Sequence, residues 1–351
     1  MQSELIAEAR RQVEICNACR YCEGYCSVFP DLQTKRAFED GDITHLANLC
    51  HNCRGCYYAC QYTAPHEFDL NLPKALAEVR RDSWESFAWP QPVARVFHQS
   101  GVALSLITVL CFAVLFWVAK SLPGDGEGFY SVVSHSVMVA IFIPAFLFPL
   151  VSLWISLQRY WRATDGGKIT LAGMRRALGA IARMRDLSGG HGDGCNFEDQ
   201  DRFTHARRHA HQAVMWGVVL CFLATSAGTV MHYGFGLHAP YGPLSLPKLL
   251  GVPGGILMVL GTSLLAWLKA RADRKLGDAN AWGGEMAFIV LLFLVAATGL
   301  ALYWAGGTSL MPALLAVHLG SVLAFFLLTP FTKMAHAPYR LAALLQSEMK
   351  R

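Results

Sequence analysis

Charge is scarce in this chain: only 16% of its 351 residues are Asp, Glu, Lys or Arg, and the net charge of +5 is too small to be a polyanion footprint. This excludes a nucleic-acid-binding protein. With 54% apolar residues and a mean hydropathy of +0.32, the composition also excludes a disordered or purely soluble chain. Residues 1–14 mix acids, bases and apolar side chains with no apolar run ahead of a cleavage site, so no secretory signal is expected and the first segment is read as cytosolic. No Cys-x-x-Cys-His is present, which argues against covalently attached c-type haem. No Gly-x-Gly-x-x-Gly follows a strand at a helix start, so any flavin must belong to another polypeptide.

What is present instead is a set of six stretches with no Asp, Glu, Lys or Arg: 101–119, 132–157, 213–231, 249–268, 286–305 and 313–329. About 20 residues rising 1.5 Å each cross roughly 30 Å of hydrocarbon, so these predict six membrane spans in a lipid bilayer. Basic residues fall in alternate connections. The loop 158–208 holds Arg159, Arg162, Lys168, Arg175, Arg176, Arg183, Arg185, Arg202, Arg207 and Arg208, and the next loop on that side holds Lys269, Arg271, Arg274 and Lys275. The opposite loops carry only Lys120, Lys248 and nothing. By the positive-inside rule both termini are expected on the cytoplasmic side of a bacterial inner membrane. The expected division is 1–95, a cytoplasmic head, and 96–351, a six-span domain; the fold class is mainly α, a small ferredoxin-like two-cluster iron–sulfur domain followed by a six-helix transmembrane bundle.

Of the eleven cysteines, eight lie in two runs of identical spacing: Cys16, Cys19, Cys22, Cys26 and Cys50, Cys53, Cys56, Cys60. A Cys-x2-Cys-x2-Cys-x3-Cys run gives three thiolates to one 4Fe–4S cluster, and its last cysteine reaches across to the other. One cluster is then expected on Cys16, Cys19, Cys22 and Cys60, and the second on Cys50, Cys53, Cys56 and Cys26. Zinc is the competing reading, but a tetrahedral site gives no reason for four cysteines per run. Proline does not directly follow the last cysteine of either run, as it does in the usual bacterial form; Pro30 and Pro65 come later. Tyr21, Tyr25, Tyr57 and Tyr58 are read as shielding or packing residues, and Cys111 and Cys221 as small buried hydrophobes.

Histidines at membrane depth are functional candidates because their burial costs free energy unless something satisfies it. His318 lies inside span six and His336 follows eighteen residues later, five helical turns or roughly 27 Å on one face of a continuous helix. Span three offers His211 and His232, about 60° out of phase. Antiparallel packing is expected to set His211 beside His336 and His232 beside His318, holding two non-covalent b-type haems. His135, His98 and His209 are the rival ligands. Gly217, Ala227, Gly228, Gly299 and Gly320 would let macrocycles or helices approach closely. The segment Ser188-Gly-Gly-His-Gly-Asp-Gly-Cys195 is read as a flexible connector, with a docking or lid loop beside the clusters as the alternative. It is not a phosphate loop, since no Gly-Lys-Ser or Gly-Lys-Thr follows it.

These residues together resemble the tricarballylate utilisation protein B family, also called citrate utilisation protein B. The resemblance is carried by Cys16-Asn-Ala-Cys-Arg-Tyr-Cys22, by Cys50-His-Asn-Cys-Arg-Gly-Cys-Tyr-Tyr-Ala-Cys60 with Pro65-His-Glu-Phe68, by the Gly-rich loop ending in Cys195, and by Leu220-Cys-Phe-Leu-Ala-Thr225. Span six, from His318 through Pro330-Phe-Thr-Lys-Met-Ala-His336, is similar to the haem-bearing helix of the gamma subunit of respiratory nitrate reductases. The family resemblance implies a membrane partner that reoxidises the reduced FAD of a separate soluble tricarballylate dehydrogenase. The expected role is an oxidoreductase component that carries electrons from that flavin through two clusters and b-type haems to a membrane quinone. Two other readings stand beside it: a quinol-oxidising membrane subunit of a heterodisulfide-reductase-like complex, and a haem and iron–sulfur redox sensor.

Overall fold

The structure, a computed structural model, describes residues 2–350 except 122, 123, 125, 126, 190, 191 and 199. The side chain of His98 and part of the Gly-rich segment lie outside the described residues. The described residues form helices and no strand beyond an isolated antiparallel bridge between Cys195 and Thr204.

The head begins with α1 (Gln2–Cys19), α2 (Val28–Leu32), α3 (Asp40–Leu49), α4 (Gly55–Tyr58) and α5 (Leu72–Phe87). Local chemistry sets the ends of these helices. Glu39 and Asp42 form a reciprocal capping box at the start of α3, and the Asn71 side chain accepts from the Lys74 N–H at 3.2 Å ahead of α5, whose first turn holds Pro73.

Six helices, each long and apolar enough to cross a membrane, follow. They are α6 (Gln91–Ala119), α7 (His135–Ala163), α9 (Ala206–Phe235), α10 (Leu246–Arg271), α11 (Trp282–Trp304) and α12 (Met311–Leu328), with α8 (Leu171–Arg183) inserted between the second and third. Large apolar side chains such as Ile107, Leu110 and Val114 face outward along α6, where lipid replaces water as their solvent. The chain is a multi-pass membrane protein. Helix α9 packs along α10, α10 against α11, α11 against α6 and α12, and α12 against α6 and α7. The α9–α10 contact needs glycine: a Cβ on Gly217 would sit 2.8 Å from the Gly254 carbonyl oxygen, and one on Gly261 would sit 2.8 Å from that of Ala210. Gly320 serves the same purpose on α12, where a Cβ would meet the Ala113 nitrogen at 2.6 Å. Gly228 is less constrained, since a Cβ there would come no closer than 3.8 Å to the Tyr241 ring.

The sixth span does not continue to His336 as a single helix. It ends at Leu328, passes through two short 3-10 turns (Thr329–Phe331 and Lys333–Ala335), and resumes as α13 (His336–Lys350). Pro330 is the cause, because it has no N–H for the helical ladder and its ring crowds the preceding turn. The expected five-turn register between His318 and His336 is therefore lost.

Helix α13 returns to the head and packs on α8, α3 and the end of α7. One core joins these parts: Ala9 and Val13 of α1, Leu46 and Leu49 of α3, Leu76 of α5, Tyr160 of α7 and Tyr339 and Leu344 of α13. Tyr160 and Tyr339 meet edge to face with ring centres 5.4 Å apart. The head, the 164–205 connection, the 272–281 loop and the C-terminal helix thus gather at one end of the bundle, the last of these loops through Asn71 Nδ2 donating to the Lys275 carbonyl at 3.0 Å.

Candidate functional site

The cysteines are placed by tight backbone turns at helix ends. Cys16 and Cys19 occupy the last turn of α1, and Arg20, at φ 59°, turns the chain so that Cys22 comes round to the same side. Cys50 directly follows α3. Asn52 and Arg54, at φ 52° and 67°, then bend the next run into α4, which carries Cys56. Left-handed conformations cost about 1–2 kcal/mol for an ordinary side chain such as Arg54, so contacts must hold them. Arg54 Nε donates to Asn52 Oδ1 at 3.0 Å and its Nη1 to the Phe197 carbonyl at 3.0 Å.

The fold brings the cysteines together in crossed sets. Cys16, Cys19, Cys22 and Cys60 line a cavity of about 220 Å³ with Cys56, Tyr21 and Tyr57 on its walls. Burial, with Cys60, Cys22 and Cys19 close by, pushes the Cys16 thiol up to about 12. Cys26, Cys50, Cys53 and Cys56 form the other group: burial, then Cys53 and Cys50, carry Cys26 well above the ordinary thiol value, and burial, then Cys53, Cys26 and Cys50, do the same to Cys56. Mutual repulsion of this kind is relieved when a positively charged metal centre takes up the thiolates. Among the described residues no three His, Cys, Asp or Glu side chains are close enough to hold a single ion. Backbone N–H groups point at the sulfurs as well, Asn52 to Cys50 at 3.3 Å and Tyr62 to Cys60 at 3.4 Å.

The described end of the Gly-rich segment, at Cys195, is anchored rather than loose. Cys195 is buried, and the Asn196 N–H donates to the Cys53 carbonyl at 2.9 Å, so this segment packs directly on the second cysteine loop. Of the tyrosines, Tyr21 is 70% exposed on the cavity rim, while Tyr25 packs over Gly55. Cys111 faces outward from α6, and Cys221 lies against the Gly251 carbonyl.

Below the second cysteine loop stand His211, in the first turns of α9, and His336, the first residue of α13, with ring centres 5.7 Å apart and planes at 82°. The two rings stand close enough for both to serve one metal centre between them. His336 Nδ1 donates to the Lys333 carbonyl, which leaves Nε2 with its lone pair. Burial, then His211 and Lys333, push His336 down to about 3 and keep it neutral, the form that binds metals. The Nδ1 of His211 is buried without a partner.

The second expected pair is not brought together. Because α10 and α11 stand between α9 and α12, His232 turns instead to His135, stacked at 4.4 Å and 20°, and to His238, whose Nδ1 is 3.2 Å from its own. Near-parallel rings at that spacing leave no room for a metal between them. His318 has its Nδ1 3.0 Å from Thr298 Oγ1 and lies over Gly299, where a Cβ would approach its Cε1 to 3.0 Å. His232 and His318 as placed do not fit a shared haem. His209 lies beside His205, with ring centres 5.9 Å apart.

Several residues that spacing did not single out tie the cysteine loop to the membrane helices. Arg207, at the start of α9, donates to the His51 and Asn52 carbonyls at 2.9 Å each. Arg340 of α13 reaches the Leu49 carbonyl and His51 Nδ1, and Arg80 of α5 the Cys50 carbonyl. Asn52 Nδ2 donates to the Leu276 carbonyl at 3.0 Å. His51 sits inside the second cysteine run, and its position there was the available signal. Part-buried Glu285 of α11 pairs with Lys269 and with Lys333 at 2.8 Å.

The family description "Citrate utilization protein B" matches residues 90–351, and "Citrate utilization protein B Fer4-like domain" matches residues 9–85. A curated relative, "Citrate utilization protein B" of Escherichia coli, is 40% identical over 97% of this chain and 91% of its own length. No solved structure matches. The chain, with its ferredoxin-like head and six apolar helices, belongs to the citrate utilization protein B family.

Proposed function

We propose that this protein is a membrane electron conduit that takes electrons from the reduced FAD of a soluble tricarballylate dehydrogenase and delivers them to the quinone pool. Cys16, Cys19, Cys22 and Cys60 hold one 4Fe–4S cluster, and Cys26, Cys50, Cys53 and Cys56 hold the second. His211 and His336 hold a b-type haem. When bound, such groups exchange single electrons, which lets a two-electron flavin donor feed a chain of one-electron carriers. The protein's own part is positional. The head (1–95) presents its exposed cysteine set to the cytoplasm, Arg207 and Arg340 press the Cys50–Cys53 loop onto the membrane domain (96–351), and both termini face the cytoplasm of the inner membrane.

The observation that carries this reading is the continuity of the site, from the cavity around Cys16 through the second cysteine loop to the paired imidazoles of His211 and His336. The test is quinone reduction by the purified chain in proteoliposomes supplied with reduced tricarballylate dehydrogenase. Quinone reduction that requires the chain supports the conduit. Its absence, with iron and haem contents intact, overturns it in favour of a sensor.

A further inference from the structure

The two cysteine sets stand in opposite electrostatic settings. Around Cys16, Cys19, Cys22 and Cys60 the site opens to solvent: Cys19 is exposed and Tyr21 stands out on the rim. The cation beside them in the chain, Arg20, is exposed and donates its Nε to the Asn17 carbonyl at 3.1 Å, so water and salt screen it.

Around Cys26, Cys50, Cys53 and Cys56 the nearby cations are buried or part-buried. Arg54 is only 4% exposed. Arg80 donates to the Cys50 carbonyl, Arg207 to those of His51 and Asn52, and Arg340 to that of Leu49 and to His51. The carboxylate facing Cys26 and Arg340 is Asp186, 3.5 Å from Arg340 and also paired with Arg185. Asp273 and Glu285 act on Arg54, and Glu285 is itself taken up by Lys269 and Lys333. Reduction adds one negative charge to a cluster, and nearby positive charge favours the reduced form. Burial alone works in the other direction, since desolvation penalises added charge. Arg54 is buried and Arg80, Arg207 and Arg340 are part-buried, so water and salt screen them less than an exposed cation, and the four outnumber Asp186 and Asp273, the nearby carboxylates not taken up by lysine.

Resting on the reading that both sets hold clusters, we propose that Arg54, Arg80, Arg207 and Arg340 make the Cys26, Cys50, Cys53 and Cys56 set the stronger electron acceptor of the two. The charge asymmetry directs electrons inward, from the solvent-facing set to the set against the membrane domain. A single electron is lost at the outer set and gained at the inner one, with no bond made or broken and no proton moved. The reductant upstream is a reduced flavin.

The test is a redox titration of the detergent-solubilised full chain followed by electron paramagnetic resonance, with a water-soluble dysprosium complex to speed relaxation of the more exposed signal. The expected result is two cluster signals, the dysprosium-sensitive one having the lower midpoint. Arg340→Gln and Arg207→Gln each make the dysprosium-insensitive cluster tenfold harder to reduce, about 59 mV for one electron, and leave the other unmoved. Arg340→Lys keeps the charge and restores the midpoint. A higher midpoint for the dysprosium-sensitive signal overturns the proposal, and so do Gln variants that move neither signal. Should the Gln variants fail to accumulate, the order of midpoints in the unaltered chain decides alone. Failure of the iron-replete chain to give two cluster signals would overturn the cluster reading itself, which is a different outcome.

Discussion

His211 and His336 face each other at 5.7 Å although they come from helices that do not run side by side. His336 gets there because the sixth span breaks at Pro330 and the short turn Lys333–Ala335 passes against α11 before α13 begins. If the pair holds a b-type haem, His211→Ala and His336→Ala should remove the same fraction of the haem absorbance. His232→Ala should leave that fraction in place, since its ring meets His135 and His238. Visible spectra and haem analysis of the three variants check this, and an equal loss in all three would contradict it.

Cys19→Ser removes an exposed thiolate of the outer set. If the chain is the proposed conduit, this variant should abolish flavin-to-quinone transfer and leave haem absorbance largely intact, because His211 and His336 stand apart from the cavity around Cys19. Unchanged turnover would mean that electrons do not enter through this set.

Gly261→Val should destabilise the bundle. Its side chain would meet the Ala210 carbonyl oxygen and Val214, each at 2.8 Å from the first added carbon, and backbone oxygen cannot move aside as a flexible side chain does. Overpacking of this kind costs about 1–3 kcal/mol. Thermal unfolding in detergent should show it, whereas Gly283→Ala, with open space around the added methyl, should be silent.

Asp31 joins three helices: its Oδ2 is 2.7 Å from His45 Nε2 and its Oδ1 accepts from Ser347 Oγ at 2.6 Å. Burial raises this carboxyl, but the His45 and Ser347 bonds outweigh it and leave the group below the ordinary aspartate value. A depressed carboxyl contributes stability that is present above its unfolded value, about 3.9, and is lost as pH falls through the folded one. Ser347→Ala should therefore lower stability by about 1 kcal/mol at neutral pH, and the deficit should shrink below pH of about 4. Melting curves at the two pH values measure it.

Much of this arrangement was legible in the sequence because it depends on short-range spacing. The two cysteine runs fix which thiols lie near one another, and uncharged stretches report lipid exposure directly. The histidine register was less secure. It assumed that residues 318 to 336 form one helix, and Pro330, visible in the sequence, is what breaks it. His232 and His318 failed to meet for a reason spacing does not carry, namely that α10 and α11 lie between their helices. Arg207 was visible only as one more positive charge of a cytoplasmic loop. Its grip on His51 depends on a tertiary contact across more than a hundred residues of chain.

The shared core of the head and α13 sets an order of events during synthesis. Tyr339, Ala343 and Leu344 of α13 belong to the core shared with the head, yet they emerge from the ribosome only after every span has been made. The head therefore lacks part of its core until the bundle has been made. The last helix to be made completes the packing of the part made first.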